Sequence, residues 1–266
     1  MSMLSLTDSA AHAAALAPRP PAEDLFGPSA RAYLAFKTGF DRVTALTLLV
    51  LTAPLIVMAM LLVKLTSTGP ALYTQTRLGR RGMPFTIYKI RTMTHDCESL
   101  TGPCWSLPGD ERVTMLGRWL RSTHIDELPQ LWNVLRGDMS LIGPRPERPE
   151  FAPRLERAAP HYRKRLQLRP GLTGLAQVQL PPDSDLDSVR IKTACDLHYV
   201  RSIGPWLDLC IAWATLLRLM GFPFAQLRAL FRLPSRDVIE QGYQALVTRH
   251  LVVVGGVAGA EASKPR

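Results

Sequence analysis

Residues 43–63 read VTALTLLVLTAPLIVMAMLLV, a run of 21 residues without a charge. About 20 apolar residues suffice for a helix to cross the hydrocarbon core of a bilayer. The richness in leucine and the absence of charge favour membrane insertion over a buried core helix. Pro54 stands in the middle, where it removes a backbone hydrogen bond and bends the helix. Both flanks are basic: Arg31, Lys37 and Arg42 precede the run, and Lys64, Arg77, Arg80 and Arg81 follow it. Lys and Arg concentrate on the cytoplasmic side of membrane segments. Basic flanks at both ends therefore favour a re-entrant hairpin bent at Pro54. The alternative is a single kinked span with a short basic tail outside.

Working outward, residues 1–30 lack the basic start of a signal peptide and are broken by Asp8, His12 and a proline cluster, so they read as a flexible tail. The membrane element covers 31–66. Residues 67–220 form one domain with a core of its own, and 221–266 an amphipathic segment with a loose Gly- and Ala-rich tail from Val252. Lys and Arg number 32 against 22 Asp and Glu, a formal net charge of +10. Such a balance points to an anionic partner: nucleic acid, an acidic membrane surface or a phosphorylated substrate. Cys97, Cys104, Cys195 and Cys210 form no CxxC pair, which argues against structural zinc and for free thiols in a reducing compartment.

Beyond the apolar run, residues 71–79 and 85–93 read as two short strands joined by a turn at Gly79 and Gly82–Pro84. Phe85, Ile87, Lys89 and Arg91 fall on one face of the second strand, so Lys89 and Arg91 project together. Residues 95–110 read as a loop and 112–120 as a helix. Asp126 suits a helix N-cap, with Pro129 in the first turn, an apolar stripe at Leu128, Leu131, Trp132 and Leu135, and Gly137 as the stop. The prolines of residues 143–149 (GPRPERP) fix an extended path. Residues 151–168 read as a helix with a solvated or headgroup-facing basic side from Arg154 to Arg165, and 169–182 as a turn and a strand. Helices are expected over 185–201 and 206–222. Phe222–Leu233, basic and aromatic, suits either the bilayer interface or packing on the domain.

The chemistry concentrates at Asp126 and Glu127. Arg118, Arg121, Arg136, Arg145 and Arg148 surround this acidic pair in sequence. Peptide dipoles at a helix start keep a carboxylate ionised, and an ionised Asp can attack phosphorus. Two carboxylates and a diphosphate repel each other, so the chemistry needs guanidinium groups and a divalent cation, for which Mg²⁺ is suited. Taken alone, an Asp–Glu pair is more often a cap with surface ion pairs. His95, His124, His161 and His198 are weaker candidates as general bases; His124 stands two residues before Asp126.

Four ordered blocks carry a resemblance: STGPALYTQTRLGRRGMPFTIYKIRTM (67–93), RVTMLGRWLRSTHIDELPQLWNVLRGDMSLIGPRPE (112–147), LRPGLTGLAQV (168–178) and DLHYVRSIGPWLDL (196–209). The chain resembles the bacterial sugar transferase family, monotopic phosphoglycosyl transferases acting on polyprenyl phosphate, in its short form. The resemblance runs from Phe40 to Leu216, about two thirds of the protein. It implies an α+β fold, mostly helical, with a cytoplasmic catalytic domain, a proline-broken re-entrant membrane helix and interfacial amphipathic helices at the bacterial inner membrane. It implies transfer of a sugar 1-phosphate from a UDP-sugar to polyprenyl phosphate with release of UMP, and a need for Mg²⁺. In that pattern Asp126 is the nucleophile of a covalent intermediate and Glu127 the metal-linked carboxylate. Lys89, Arg91, Arg121, Pro144, Arg145, Pro146 and Asp196 match positions of the substrate site. Many members have Ser before the breaking proline, where this chain has Ala53, and Thr52 is the nearby hydroxyl that could take its place. Membrane lipid is an expected partner, nucleic acid is not, and a homodimer is left open. The rival reading is a membrane-tethered basic module that binds anionic lipid or nucleic acid. It accounts for the charge and the anchor but not for carboxylates amid the arginines.

Overall fold

The computed structural model describes residues 26–99, 102, 104, 109–181 and 186–261. The N-terminal tail up to residue 25, Trp105 and much of the loop around it lie outside these residues. The fold is mostly helical with two small two-stranded sheets, in keeping with the expected α+β class.

The apolar run belongs to one helix, α1 (Pro28–Thr66), which begins with Pro28 in the first turn and is about 58 Å long at 1.5 Å per residue. It is long and apolar enough to cross a membrane. The helical hydrogen-bond pattern continues through Pro54, so α1 is one element on both sides of the proline. Its buried residues Lys37, Asp41, Ala45, Ala59 and Val63 follow helical spacing on both sides of the proline, and both halves rest on the same domain. Ala45 packs with Ile87, Leu131, Val134 and Met139, and Ala59 and Val63 with Ile90 and Leu120. Packing on either side thus offsets the one bond that proline removes. Thr52 does not repair that loss, since its hydroxyl donates to Leu48 O at 2.7 Å rather than to Val50. Lys37 leaves the basic flank altogether: it is buried and paired with Asp208 at 2.8 Å. Arg77 also turns inward, donating to Pro146 O.

The hairpin β1 (Leu72–Leu78) and β2 (Pro84–Ile90) is antiparallel, with Tyr73 opposite Lys89. Arg81 takes a left-handed conformation (φ 61°) in the turn. Helix α2 (Met115–Ser122) is capped by the Thr114 hydroxyl. Its Gly117 is obligatory, since a Cβ there would lie 2.0 Å from Thr92 O. Helix α3 (Gln130–Arg136) ends at Gly137 with φ 87°, as expected from the sequence. Its buried stripe differs: Leu131, Asn133 and Val134 face inward and Trp132 is exposed.

Strand β3 (Ser140–Ile142) pairs in parallel with β4 (Gly171–Thr173). The expected helix over 151–168 is two pieces, α4 (Ala152–Ala158) and a 3₁₀ segment at Tyr162–Gln167, because Pro160 supplies no amide to continue the first. After β4 the chain forms a short helix, α5 (Leu175–Gln179), rather than extending as a strand. Helices α6 (Leu186–Ser202), α7 (Pro205–Leu219) and α8 (Phe224–Leu230) complete the main core around Leu175, Tyr199, Ile211 and Leu227. Trp206, Leu209, Trp213 and Leu216 form an exposed apolar stripe on α7 at helical spacing. The tail expected to be loose from Val252 is helical to Glu261, as part of α9 (Arg236–Glu261). Ile239 and Tyr243 of α9 pack on Ala194, Cys195 and Leu197 of α6.

Candidate active site

Asp126 and Glu127 lie in a 3₁₀ turn, Ile125–Glu127, entered through His124 in a left-handed conformation (φ 56°). Asp126 is therefore not the expected N-cap; Pro129 occupies that position of α3. The turn buries both carboxylates against β2. Glu127 Oε1 accepts from Lys89 Nζ at 2.6 Å and from Arg145 Nη2 at 2.8 Å. Burial alone would raise the Glu127 carboxyl, but Arg145 and Lys89 hold it well below the usual carboxylate range. Its Oε2 accepts no hydrogen bond among the described residues.

Asp126 is the opposite case. It is 6% exposed and accepts no hydrogen bond from any described residue. Burial pushes its carboxyl up to about 6; Lys89, Arg121 and Arg145 pull downward, and Glu127 pushes further up. A carboxylate so placed is ionised in most molecules at neutral pH, yet poorly solvated, which favours nucleophilic attack.

Arg145 is presented by the turn that follows β3. Gly143 N donates to Thr173 O, and Gly171 N to Pro144 O, both at 2.9 Å. A Cβ on Gly143 would lie 2.6 Å from Arg169 O, and one on Gly171 2.1 Å from Gly143 N, so both positions require glycine. Pro146 O accepts from Arg77 Nη1 at 3.2 Å. The Arg145 carbonyl accepts from Arg165 Nη2 at 2.8 Å, and Arg165 is held by Asp196 at 2.6 Å. Both partners of this pair are 2% exposed, so Arg165 is not on a solvated face and Asp196 does not line an open pocket. Asp196 stands behind Arg145.

Two other expected site residues separate. Arg121 lies near enough to lower the Asp126 carboxyl, and its Nε donates to Thr92 Oγ1 at 2.9 Å. Arg91 stands beyond the end of β2 and does not project with Lys89 towards the dyad. Its guanidinium bonds the Thr68, Ser67 and Gly69 carbonyls, closing the C-terminal end of α1. Of the arginines near the dyad in sequence, Arg148 pairs with Glu98 and Arg136 with Asp138, and Arg118 is exposed. The guanidinium ring around the dyad thus narrows to Arg145 and Arg121, joined by Lys89.

The histidines do not join the dyad. His124 is exposed, His95 lies beside Asp96, and His161 Nε2 meets Leu246 O. Burial and Arg201 lower the His198 imidazole on α6. Sequence reasoning missed Arg165 and Asn133. Asn133 Nδ2 donates to Thr86 O, and its Oδ1 accepts from Tyr88 N, clamping α3 to β2 one residue from Lys89. The available signal for it was a polar residue on the buried side of an apolar helix.

Asp126 and Glu127 are the residues here that could hold a divalent cation. The Asp126 oxygens and Glu127 Oε2 are hard ligands without hydrogen-bond partners among the described residues, as Mg²⁺ sites built from one or two carboxylates and substrate phosphate need. Among the described residues no cluster of three or more His, Cys, Asp or Glu forms an all-protein metal cage.

A family model described as bacterial sugar transferase matches residues 32–221. A UDP-N-acetylgalactosamine-undecaprenyl-phosphate N-acetylgalactosaminephosphotransferase of Aeromonas hydrophila is 41% identical over 184 residues, which are 69% of this chain and 43% of that protein. A UDP-glucose:undecaprenyl-phosphate glucose-1-phosphate transferase of Caulobacter vibrioides is 46% identical over 181 residues, 67% of each chain. An exopolysaccharide production protein PSS of Rhizobium leguminosarum is 37% identical over 187 residues, covering 94% of its length. The matched segment thus spans less than half of the Aeromonas relative, and α8 and α9 lie beyond the family match.

Proposed function

The chain belongs to the bacterial sugar transferase family, and we propose that it transfers a sugar 1-phosphate from a UDP-sugar to a membrane polyprenyl phosphate and so initiates assembly of an exopolysaccharide or related glycan. The observation that carries this reading is the asymmetry of the dyad: Glu127 clamped by Lys89 and Arg145, and Asp126 buried beside it without a hydrogen bond from the described residues.

In the proposed cycle Asp126 attacks the phosphorus that bears the sugar. The bond to the UMP oxygen breaks, and the electron pair leaves on UMP. An oxygen of polyprenyl phosphate then attacks the same phosphorus, the bond to Asp126 breaks, and the carboxylate returns. Lys89 and Arg145 keep Glu127 ionised and supply positive charge beside the phosphoryl group in flight. Arg145 and Arg121 offer forked donors to phosphate oxygens. Asp126 and Glu127 would hold Mg²⁺, which supplies charge neutralisation to the diphosphate when bound.

Topology belongs to the same proposal. The apolar α1, the remaining exposed basic residues Arg31, Arg42, Lys64, Arg80 and Arg81, and the exposed tryptophans of α7 support membrane association with the dyad on the cytoplasmic side. A re-entrant arrangement with both flanks cytoplasmic remains the reading that the two-sided charge supports. Cysteine substitutions at Arg31 and Arg80, probed with an impermeant thiol reagent in intact cells and inverted vesicles, test it; labelling of one end from outside would replace the hairpin by a span.

Incubation of the membrane-bound protein with Mg²⁺ and a panel of UDP-sugars tests the reaction. UMP release, abolished by chelation and by Asp126→Asn with Glu127 intact, is expected. Release of UDP would indicate a conventional glycosyltransferase, and release of no nucleotide the binding module. The donor in the panel that releases UMP fastest identifies the sugar.

A further inference from the structure

Gln130 opens α3, three residues after Glu127, and is 2% exposed. Its Nε2 is buried without a hydrogen-bond partner among the described residues. Buried amide donors are almost always satisfied, so an orphan calls for a partner that arrives later.

Geometry says where that partner comes. The backbone from Ile125 to Trp132 is continuously helical in pitch, with Leu128 N bonded to Ile125 O, Leu131 N to Leu128 O and Trp132 N to Pro129 O. Residues three apart then share a face, so Gln130 lies one turn beyond Glu127 on the same side. Its neighbours at the same spacing both reach β2. Glu127 accepts from Lys89, and Asn133 bonds Thr86 and Tyr88. Gln130 stands between them. Asn133 spends its amide on the backbone, and Gln130 does not.

We infer that Gln130 is a further substrate-binding residue, its amide N–H donating to a phosphoryl oxygen of the nucleotide sugar held at Asp126. The inference rests on the reading of the dyad given above. An uncharged donor at this position adds a hydrogen bond to the anion without a further cation to compete for Glu127. It also adds no negative charge to the two carboxylates already present.

The test uses the full-length protein in membranes, with the fastest of UDP-glucose, UDP-galactose, UDP-N-acetylglucosamine and UDP-N-acetylgalactosamine as donor. UMP release is followed at saturating polyprenyl phosphate, alongside the melting temperature of the ligand-free protein. Gln130→Met keeps the shape and removes the donor. Loss of one hydrogen bond to a charged group lowers kcat/KM for the donor about tenfold to a hundredfold. The melting temperature stays equal or rises, because a buried orphan has gone. Asn133→Leu is the contrast and lowers the melting temperature, since its amide bonds are already made. Unchanged kinetics in Gln130→Met, an amide that binds an ordered water only, would overturn the inference. So would parallel loss of activity and stability, which marks a structural residue. If instead the wild type releases no UMP, or Asp126→Asn releases it normally, the dyad reading fails and this inference with it.

Discussion

Two of the clusters of buried charge in this domain are built on opposite plans. Under the N-terminal part of α1, Lys37 meets Asp208 at 2.8 Å and Asp41 at 3.4 Å. Asp208 also accepts from Tyr33 at 2.7 Å and Tyr199 at 2.6 Å, and Asp41 accepts from the Ser140 hydroxyl at 2.5 Å. Every carboxylate there is partnered, and four segments of the chain, α1, β3, α6 and α7, are tied together. At the dyad, Glu127 is equally well held, but Asp126 accepts no hydrogen bond from the described residues. Closed charge networks hold structure together, whereas an open one keeps a group available for reaction. The first cluster fixes α1 to β3, and β3 leads directly into the turn that carries Arg145.

The comparison can be broken at either end. The largest effect is expected from Asp126→Asn, which lowers sugar-phosphate transfer by roughly a thousandfold or more, as loss of a nucleophile does. Retained turnover would remove Asp126 from its proposed role. Next, Asp208→Ala leaves Lys37 and two tyrosines facing an empty site and costs about 3–5 kcal/mol in denaturant unfolding. Replacing Lys37 and Asp208 together by Met and Leu recovers much of this, and a neutral single mutant would show that the cluster is not a latch.

The pH dependence of stability sharpens the contrast. Folded Asp126 holds its proton to about 6, while 3.8 is the ordinary value. Between these values the folded state binds more protons, so stability falls as pH rises, and the cost is complete above the higher value. In chelator, Asp126→Asn is therefore more stable than wild type at neutral pH, by up to about 3 kcal/mol. The gain vanishes below about pH 4. A pH-independent difference would mean that burial does not strain this carboxylate. Arg145→Lys, which loses the forked contact but keeps the charge, lowers kcat/KM about tenfold to a hundredfold with little change in melting temperature. The smallest effect is expected at Thr52→Val, within about 0.5 kcal/mol, because the hydroxyl serves only its own turn of helix.

Much of this was readable in the chain. The hairpin follows from alternating strands around glycine, the end of α3 from Gly137, and the apolar part of α1 from its uncharged run. The dyad stood out as carboxylates among arginines. Partners were not readable. Period two placed Arg91 on the Lys89 face, but the strand ends at Ile90, and Arg91 turns to the carbonyls behind α1. The basic run from 154 to 165 looked solvated because sequence cannot show that Arg165 meets Asp196. Lys37 looked like a flank charge because its partner lies 171 residues away.

By itself, the sequence determined many local matters: most of the helices and the β1–β2 hairpin, the stop at Gly137, which run suits a membrane, and which carboxylates merit attention. These depend on residues within a few turns of one another, whose spacing the chain carries openly. Only the tertiary structure decided which of two adjacent carboxylates is clamped and which is left open, which arginines reach them, and that the halves of α1 on either side of Pro54 both rest on the same domain. Those outcomes depend on groups brought together from distant parts of the chain, and burial and pairing there override what each residue prefers alone.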